Sequence, residues 1–232
     1  MTIYDTVKND PQARAYIKAG NDALKALGYT EHSLTHVCLT AETAGMILEK
    51  LGFPAEQIEL ARVAGFLHDI GNMMNRKFHA AAGAEMARTI LERMGMGWEE
   101  IGTVCSAIGN HDEGSGGKPV SAVAAALNIA DKVDVRRSRV QETCMENILT
   151  DIHDRVNYAV TRAELEVLPA MGGEAGENRE KGVIRLCLDI DAGFTPVMDY
   201  FEIFLQRMLM CKRAAAFLHA EFELMINNAK II

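Results

Sequence analysis

The 232-residue sequence predicts a mainly α-helical bundle, followed by a small two-stranded β element and a long terminal helix. Three observations lead there. Through most of the first 150 positions, apolar residues recur at helical spacing, with cap and stop residues at the segment ends. After about residue 150 the pattern turns to alternation, the period of strands. From about Pro196 to Asn228 a long, unusually apolar stretch reads as helix again. The expected organisation is a helical core over residues 1–150 and an appendage over 151–232, packed on the core or used in dimerisation.

Each element has its own signals. Asp10 followed by Pro11 is a capping residue and a first-turn proline, and the helix they open runs to Leu27 before Gly28. Ser33 caps a second helix ending near Leu51, with Gly52 as its stop. Pro54 opens a third, whose apolar residues Ile58, Ala61, Val63, Ala64, Phe66 and Leu67 lead to His68 and Asp69, with Gly71 closing it. A fourth spans about His79 to Met94, and a fifth about Trp98 to His111, ending in the loop Glu113-Gly114-Ser115-Gly116-Gly117. Pro119 then opens an alanine-rich helix, Val120 to Val133. Two strands follow around Tyr158–Val167 and Val183–Ile190, separated by a glycine-rich turn over 171–176. The Met and Phe residues of the last helix read as core or dimer contact, and nothing in the appendage reads as a ligand pocket.

Composition narrows the function classes. Hydrophobic residues make up 49% of the chain, enough for a full core, yet no apolar run reaches the roughly 18 residues of a membrane helix. The start, MTIYDTVKNDPQ, has no basic segment followed by an apolar core, so no secretory signal is expected and the reading is cytoplasmic. The five cysteines are odd in number, dispersed and free of C-x-x-C spacing, which favours unpaired thiols. A net charge of -8 argues against binding a nucleic-acid polymer, and the cluster Arg136-Arg137-Ser138-Arg139 is too short to reverse that. A small phosphorylated ligand needs only one or two local cations.

The chemistry rests on where the histidines fall. His32, His36, His68, His79 and His111, five of the seven, lie in the first half near predicted helix ends or on amphipathic helices. One histidine alone is more often a surface or core residue than a ligand; five on consecutive helices weaken that reading. Asp69 ends the apolar run Phe66-Leu67-His68-Asp69, and Asp131 ends Ala124-Ala125-Ala126-Leu127-Asn128-Ile129-Ala130. Negative charge favours helix starts, so capping does not explain either, and a carboxylate in an apolar segment needs a cation or strong hydrogen bonds. Imidazole with carboxylate suits first-row divalent metals.

The order His36-Val37, His68-Asp69-Ile70-Gly71, a histidine followed by Gly83, His111-Asp112-Glu113 and Ala130-Asp131-Lys132 resembles the HD superfamily of metal-dependent phosphohydrolases over about residues 30–137. The resemblance implies an HD-domain helical bundle and two divalent metal ions, with Fe, Mn, Co, Ni, Zn and Mg not distinguished. It implies that His36, His68, Asp69 and Asp131 hold the first ion, and that Asp69 bridges to a second held by His79 and His111. The cyclic-dinucleotide phosphodiesterase branch of that superfamily differs: it has a lysine where this chain has Asn72, a histidine where it has Asp112, and a Gly-Tyr-Pro signature absent here.

The expected activity is hydrolysis of a small phosphoester by metal-activated water. Asp69, Lys132 and Asp112 are the candidate catalytic residues. Lys132, and more weakly Lys118, could contact substrate phosphate, against the alternative of a surface lysine. Asp112 and Glu113 could orient ligands or water, against that of a solvated helix end. His32, one turn before His36, is either a group beside the metal or substrate or a solvated histidine. Two other readings remain: a di-iron oxygenase on the same scaffold, and a non-catalytic signalling or dimerisation module whose homodimer uses the apolar tail.

Overall fold

The structure is a computed structural model that describes residues 2–170 and 181–232. It is mainly helical. The helices of the first part are α1 (Ile3–Lys8), α2 (Pro11–Ala26), α3 (Leu34–Lys50), α4 (Ala55–Leu67), α5 (His79–Arg93), α6 (Trp98–Gly109) and α7 (Ala122–Lys132). The expected punctuation is in place. Asp10 accepts from the Ala13 N–H at the start of α2, and Ser33 accepts from the Thr35 N–H at the start of α3. Two boundaries move. The cap of α7 is Ser121, which accepts from the Ala124 N–H, so the helix starts after Pro119 and Val120. Gly71 does not simply end α4; it lies inside a buried 3-10 turn, Ile70–Met73.

Two glycines let the helices close on the future site. A Cβ at Gly65 in α4 would lie 2.6 Å from the Ala41 Cα of α3, so only glycine allows this approach. A Cβ at Gly71 would lie 2.0 Å from the His79 carbonyl oxygen, which presses the turn after Asp69 onto the start of α5. α7 runs through the middle, in contact with α3, α4, α6 and the later helix α10 (Val197–Phe217). Its run from Val123 to Ala130 is buried throughout. Alanines at 124, 125, 126 and 130 keep it slim enough for neighbours on every side.

The C-terminal part departs further from expectation. Two short helices, α8 (Met145–Thr150) and α9 (Ile152–Ala159), precede the strands, and Tyr158 belongs to α9 rather than to a strand. The strands are β1 (Val160–Leu168), β2 (Gly182–Ile190), β3 (Ala220–Ile226) and β4 (Ala229–Lys230), in the order β1-β2-β3-β4. β1 and β2 pair antiparallel, with Leu165 opposite Leu186; the glycine-rich turn expected between them lies outside the described residues. β2 and β3 pair parallel, Leu186 opposite Leu224, and α10 makes the crossover that parallel neighbours require.

The sheet therefore has four strands where two were expected, and the long helix is not terminal. It stops at Phe217, and His219 then takes a φ of 57°, which breaks helical continuation. Beyond it Ala220, Phe222, Leu224 and Ile226 are buried in strict alternation, a period of two that only a strand can satisfy. β3 packs on α10, and the buried face of β2 and β3 joins the same hydrophobic core as the helical bundle. All five cysteines are free, from buried Cys211 to exposed Cys144. Among the described residues no helix is long and apolar enough to cross a membrane.

Candidate metal centre and its cavity

Six side chains meet where helix ends converge. His36 and His79 lie in the first turns of α3 and α5; His68 ends α4 and Asp69 follows it; His111 comes just after α6; Asp131 is in the last turn of α7. Three of these ends are C-termini, whose partial negative charge adds to that of the two carboxylates. Such a meeting point calls for positive charge.

The donor atoms form two groups. In the first, His36 Nε2 lies 3.3 Å from His68 Nε2, 3.5 Å from Asp69 Oδ2 and 3.3 Å from Asp131 Oδ1. His68 Nε2 lies 3.1 Å from Asp69 Oδ2 and 3.6 Å from Asp131 Oδ1. In the second, Asp69 Oδ1 lies 3.5 Å from His79 Nε2 and 3.9 Å from His111 Nε2, which are 3.1 Å apart. Atoms bonded at about 2.0–2.2 Å to one first-row ion stand about 3–3.6 Å from each other; the first group has that spacing, and the second has it except between Asp69 and His111, which stand 3.9 Å apart. Asp69 presents one oxygen to each.

The opposite edge of every ring is tied down. His36 Nδ1–H donates to Asp134 at 2.7 Å, and the Nδ1–H groups of His68, His79 and His111 donate to the carbonyls of Gly65, Arg76 and Ile108 at 2.8, 2.9 and 2.6 Å. A neutral ring with its proton on Nδ1 has only a lone pair at Nε2. In the neutral form the Nε2 pairs 3.3 and 3.1 Å apart face each other lone pair to lone pair, beside the buried Asp69 Oδ2, so the site calls for a proton or a metal ion among these atoms. Divalent cations would satisfy all of these atoms together.

The protonation equilibria express the same demand. Burial opposes a charge on His68, yet Asp69 and Asp131 push its pKa up to about 10. Despite their own burial, Asp69 and Asp131 are held well below the usual carboxylate range, Asp69 chiefly by His68 and Asp131 chiefly by Lys132. His111 is driven the other way, down to about 3, by burial and then by His68 and Lys132. Its imidazole is neutral, the form that binds a metal.

A cavity of about 250 Å³ opens on this centre. Asp69, His79, His111 and Asp131 form one part of its wall, with Arg76, Lys132 and His32 beside them. His32 packs its ring edge-on to His36, 5.6 Å between centroids, and its Nδ1–H donates to the Thr30 carbonyl. Lys132 is no surface lysine. It is 5% exposed, and its ammonium lies 2.7 Å from Asp131 Oδ2 and 2.5 Å from Glu113 Oε2. Glu113 also accepts from Arg207 Nε of α10 at 3.0 Å. Against burial, Lys132 and Arg207 hold the Glu113 pKa down at about 2. Asp112 does not line the cavity; its carboxylate accepts from the Ser115 N–H, closing its own turn. Lys118 is exposed and also outside the lining.

Sequence reasoning missed one group behind the metal centre and several wall residues. Asp134, three residues after Asp131, orients His36 and is itself held by Arg136 at 2.5 and 2.9 Å. Arg76 reaches His79 Nε2 at 3.3 Å from the turn before α5. Asp151, His153, Asp154 and Asn157 at α9, Phe204 and Arg207 of α10, the segment 27–30 before α3, and Arg139 supply the rest. The appendage is thus part of the pocket. The carboxylate three positions after Asp131 was a readable signal; the α9 wall was not, because only tertiary packing brings it over the site.

Residues 33–136 match the model of the HD domain. An uncharacterised protein of Methanocaldococcus jannaschii is 25% identical over 220 residues, 85% of this chain and 80% of its own length. Ribonuclease Y of Streptococcus agalactiae is 29% identical over 143 residues, 57% of this chain and 24% of its own length. For ribonuclease Y of Aliarcobacter butzleri the figures are 29% over 159 residues, 67% and 28%. The chain thus spans only about a quarter of the length of those ribonucleases. A solved HD superfamily hydrolase from an uncultured Thermotogales bacterium has 22% identity and a TM-score of 0.41, covering 59% of this chain and 75% of that one. All six converging donors fall inside residues 33–136, the segment that is similar to the HD domain.

Proposed function

We propose that the protein is a metal-dependent phosphohydrolase that cleaves a small phosphoester in the cavity over the six-residue centre. The observation that carries this reading is the set of inward-facing Nε2 and carboxylate atoms, each ring locked from behind, with Asp69 Oδ2 left without a donor. His36, His68, Asp69 and Asp131 would hold one divalent ion, and Asp69, His79 and His111 a second. Ions held there would activate a water as nucleophile and neutralise charge growing on the phosphoryl oxygens.

The chain's own residues supply the rest. Arg76 lines the cavity with its guanidinium beside His79, placed to receive a phosphoryl oxygen. Lys132 holds Asp131 Oδ2, so that Oδ1 is the oxygen turned toward His36 and His68; its role is to orient a ligand rather than to grip phosphate. Asp134 fixes the His36 ring, as carboxylates behind ligating histidines do. The name of the ribonuclease relatives points to phosphoester chemistry on an HD domain. A cavity of about 250 Å³ and a net charge of -8 favour a small molecule over a polymer here.

The test is metal analysis of the purified protein and of His68→Ala, together with turnover of phosphomonoesters and phosphodiesters with Mn, Co, Ni or Mg. Bound metal that falls in the variant, with turnover that falls in parallel, supports the reading. No turnover with any of these metals overturns it, and oxygen uptake by the iron-loaded protein would replace it with an oxygenase.

A further inference from the structure

We infer that α9 is the recognition wall for the organic part of the substrate, and that this part carries an amino group seated between Asp154 and Asn157. The inference rests on the phosphoester reading for the other end of the molecule. Asp154 lines the cavity, is 9% exposed, and among the described residues accepts no hydrogen bond and joins no ion pair. The other acids of the wall all have work. Asp69 and Asp131 belong to the metal centre, and Asp151 caps α9 by accepting from the His153 and Asp154 N–H groups.

Asn157 is one turn further along the same face. It is 6% exposed, and its Nδ2 donates to the His153 carbonyl, which leaves Oδ1 as an acceptor. Asp154 thus offers acceptors only, and Asn157 offers Oδ1 as an acceptor beside the one N–H of its amide that His153 does not engage. A hydroxyl brings one donor and its own lone pairs; an ammonium brings three donors and a charge.

Electrostatics favour the charge. Burial, Asp151 and Glu142 all push the Asp154 carboxyl up, and His153 alone opposes them among the groups that act on it. Arg76 stands at the metal-centre end of the cavity, beside Asn72 and His79, and the other cations of the lining are committed. Lys132 pairs with Asp131 and Glu113, Arg207 with Glu113, and Arg139 donates to the carbonyls of Glu31 and Asp134. The Asp154 carboxylate opens on the cavity with no protein partner, and the partner that fits it is a ligand cation.

The experiment uses ω-aminoalkyl phosphonates of two to six carbons, which have no ester bond to break. Each is compared with its n-alkyl and ω-hydroxyalkyl isosteres by calorimetric titration of the metal-loaded protein. At the best chain length the amino compound should bind at least about ten-fold tighter than either isostere, since a site built around a donor rejects analogues lacking it. In Asp154→Asn that ratio should fall to near one. Equal binding of amino and alkyl compounds, or preference for the hydroxyl series, overturns the inference. Should Asp154→Asn fail to fold, the wild-type ratios decide alone. Selective amino binding without hydrolysis of the matching phosphates would support this wall while overturning the phosphohydrolase reading.

Discussion

The two parts of the cavity wall are built on opposite principles. Around the metal centre every imidazole is held by a hydrogen bond on its outer nitrogen, and neighbouring polar groups such as Asp134 are themselves held. On α9, Asp154 and Asn157 Oδ1 face the cavity without protein partners. The first arrangement fixes geometry before anything binds, as chemistry demands. The second leaves interactions open for a ligand, as selectivity demands. In the proposed function, reaction and recognition would fall to different elements; the link Asp131–Lys132–Glu113–Arg207 runs from the centre on α7 to α10, which packs against α9.

That contrast can be broken at its strongest point. Asp69→Ala removes the only carboxylate shared by both donor groups, and turnover should fall by at least about 1000-fold, the upper range for loss of one electrostatic stabiliser. Metal analysis should show the loss of bound ions at the same time. A variant retaining full metal content would mean that Asp69 does not bridge.

The link comes next. Lys132→Met leaves Asp131 and Glu113 without their common cation, and breaking a buried pair from one side should cost about 3 kcal/mol of stability, read from urea denaturation. A cost near zero would show the two regions to be independent. Asp134→Asn is milder: it keeps the shape behind His36 but removes the charge, and metal affinity should drop by about 10–100-fold.

The smallest effect should arise away from both regions. Asp10 caps α2 and pairs with Arg93 at 2.6 Å. Burial raises its pKa, but Arg93 and the Ala13 N–H lower it more, so it lies below the ordinary value. A lowered native pKa gives stability that is complete above the unfolded value and fades as pH falls through the native one. Asp10→Ala should therefore cost about 1 kcal/mol at pH 7. The gap from wild type, followed by thermal melts, should narrow below about pH 4, where the unfolded carboxyl begins to protonate. Turnover at pH 7 should be untouched.

Much of this was legible in the residues. Caps at Asp10 and Ser33, and the apolar runs before His68-Asp69 and Asp131, are local signals, because capping and helical burial depend on neighbours within a turn or two. They located the six donors that the structure brings together. The strand after α10 was legible too, in the alternation from Ala220 to Ile226, but the apolar run before it masked the change of period. The sequence allows Lys132 as a contact to substrate phosphate and Asp112 as a group orienting ligands or water; the first is buried against two carboxylates, and the second accepts a hydrogen bond within its own turn.

What sequence alone determined is the class of helices, their ends, and the need for cations at Asp69 and Asp131, since each follows from the cost of burying charge in an apolar segment. Tertiary structure alone decided which oxygen of Asp69 faces which imidazoles, that Lys132 is buried, and that α9 and α10 close the cavity. Those facts depend on contacts between residues as far apart as Glu113 and Arg207, and side-chain periodicity carries no information about which distant faces meet.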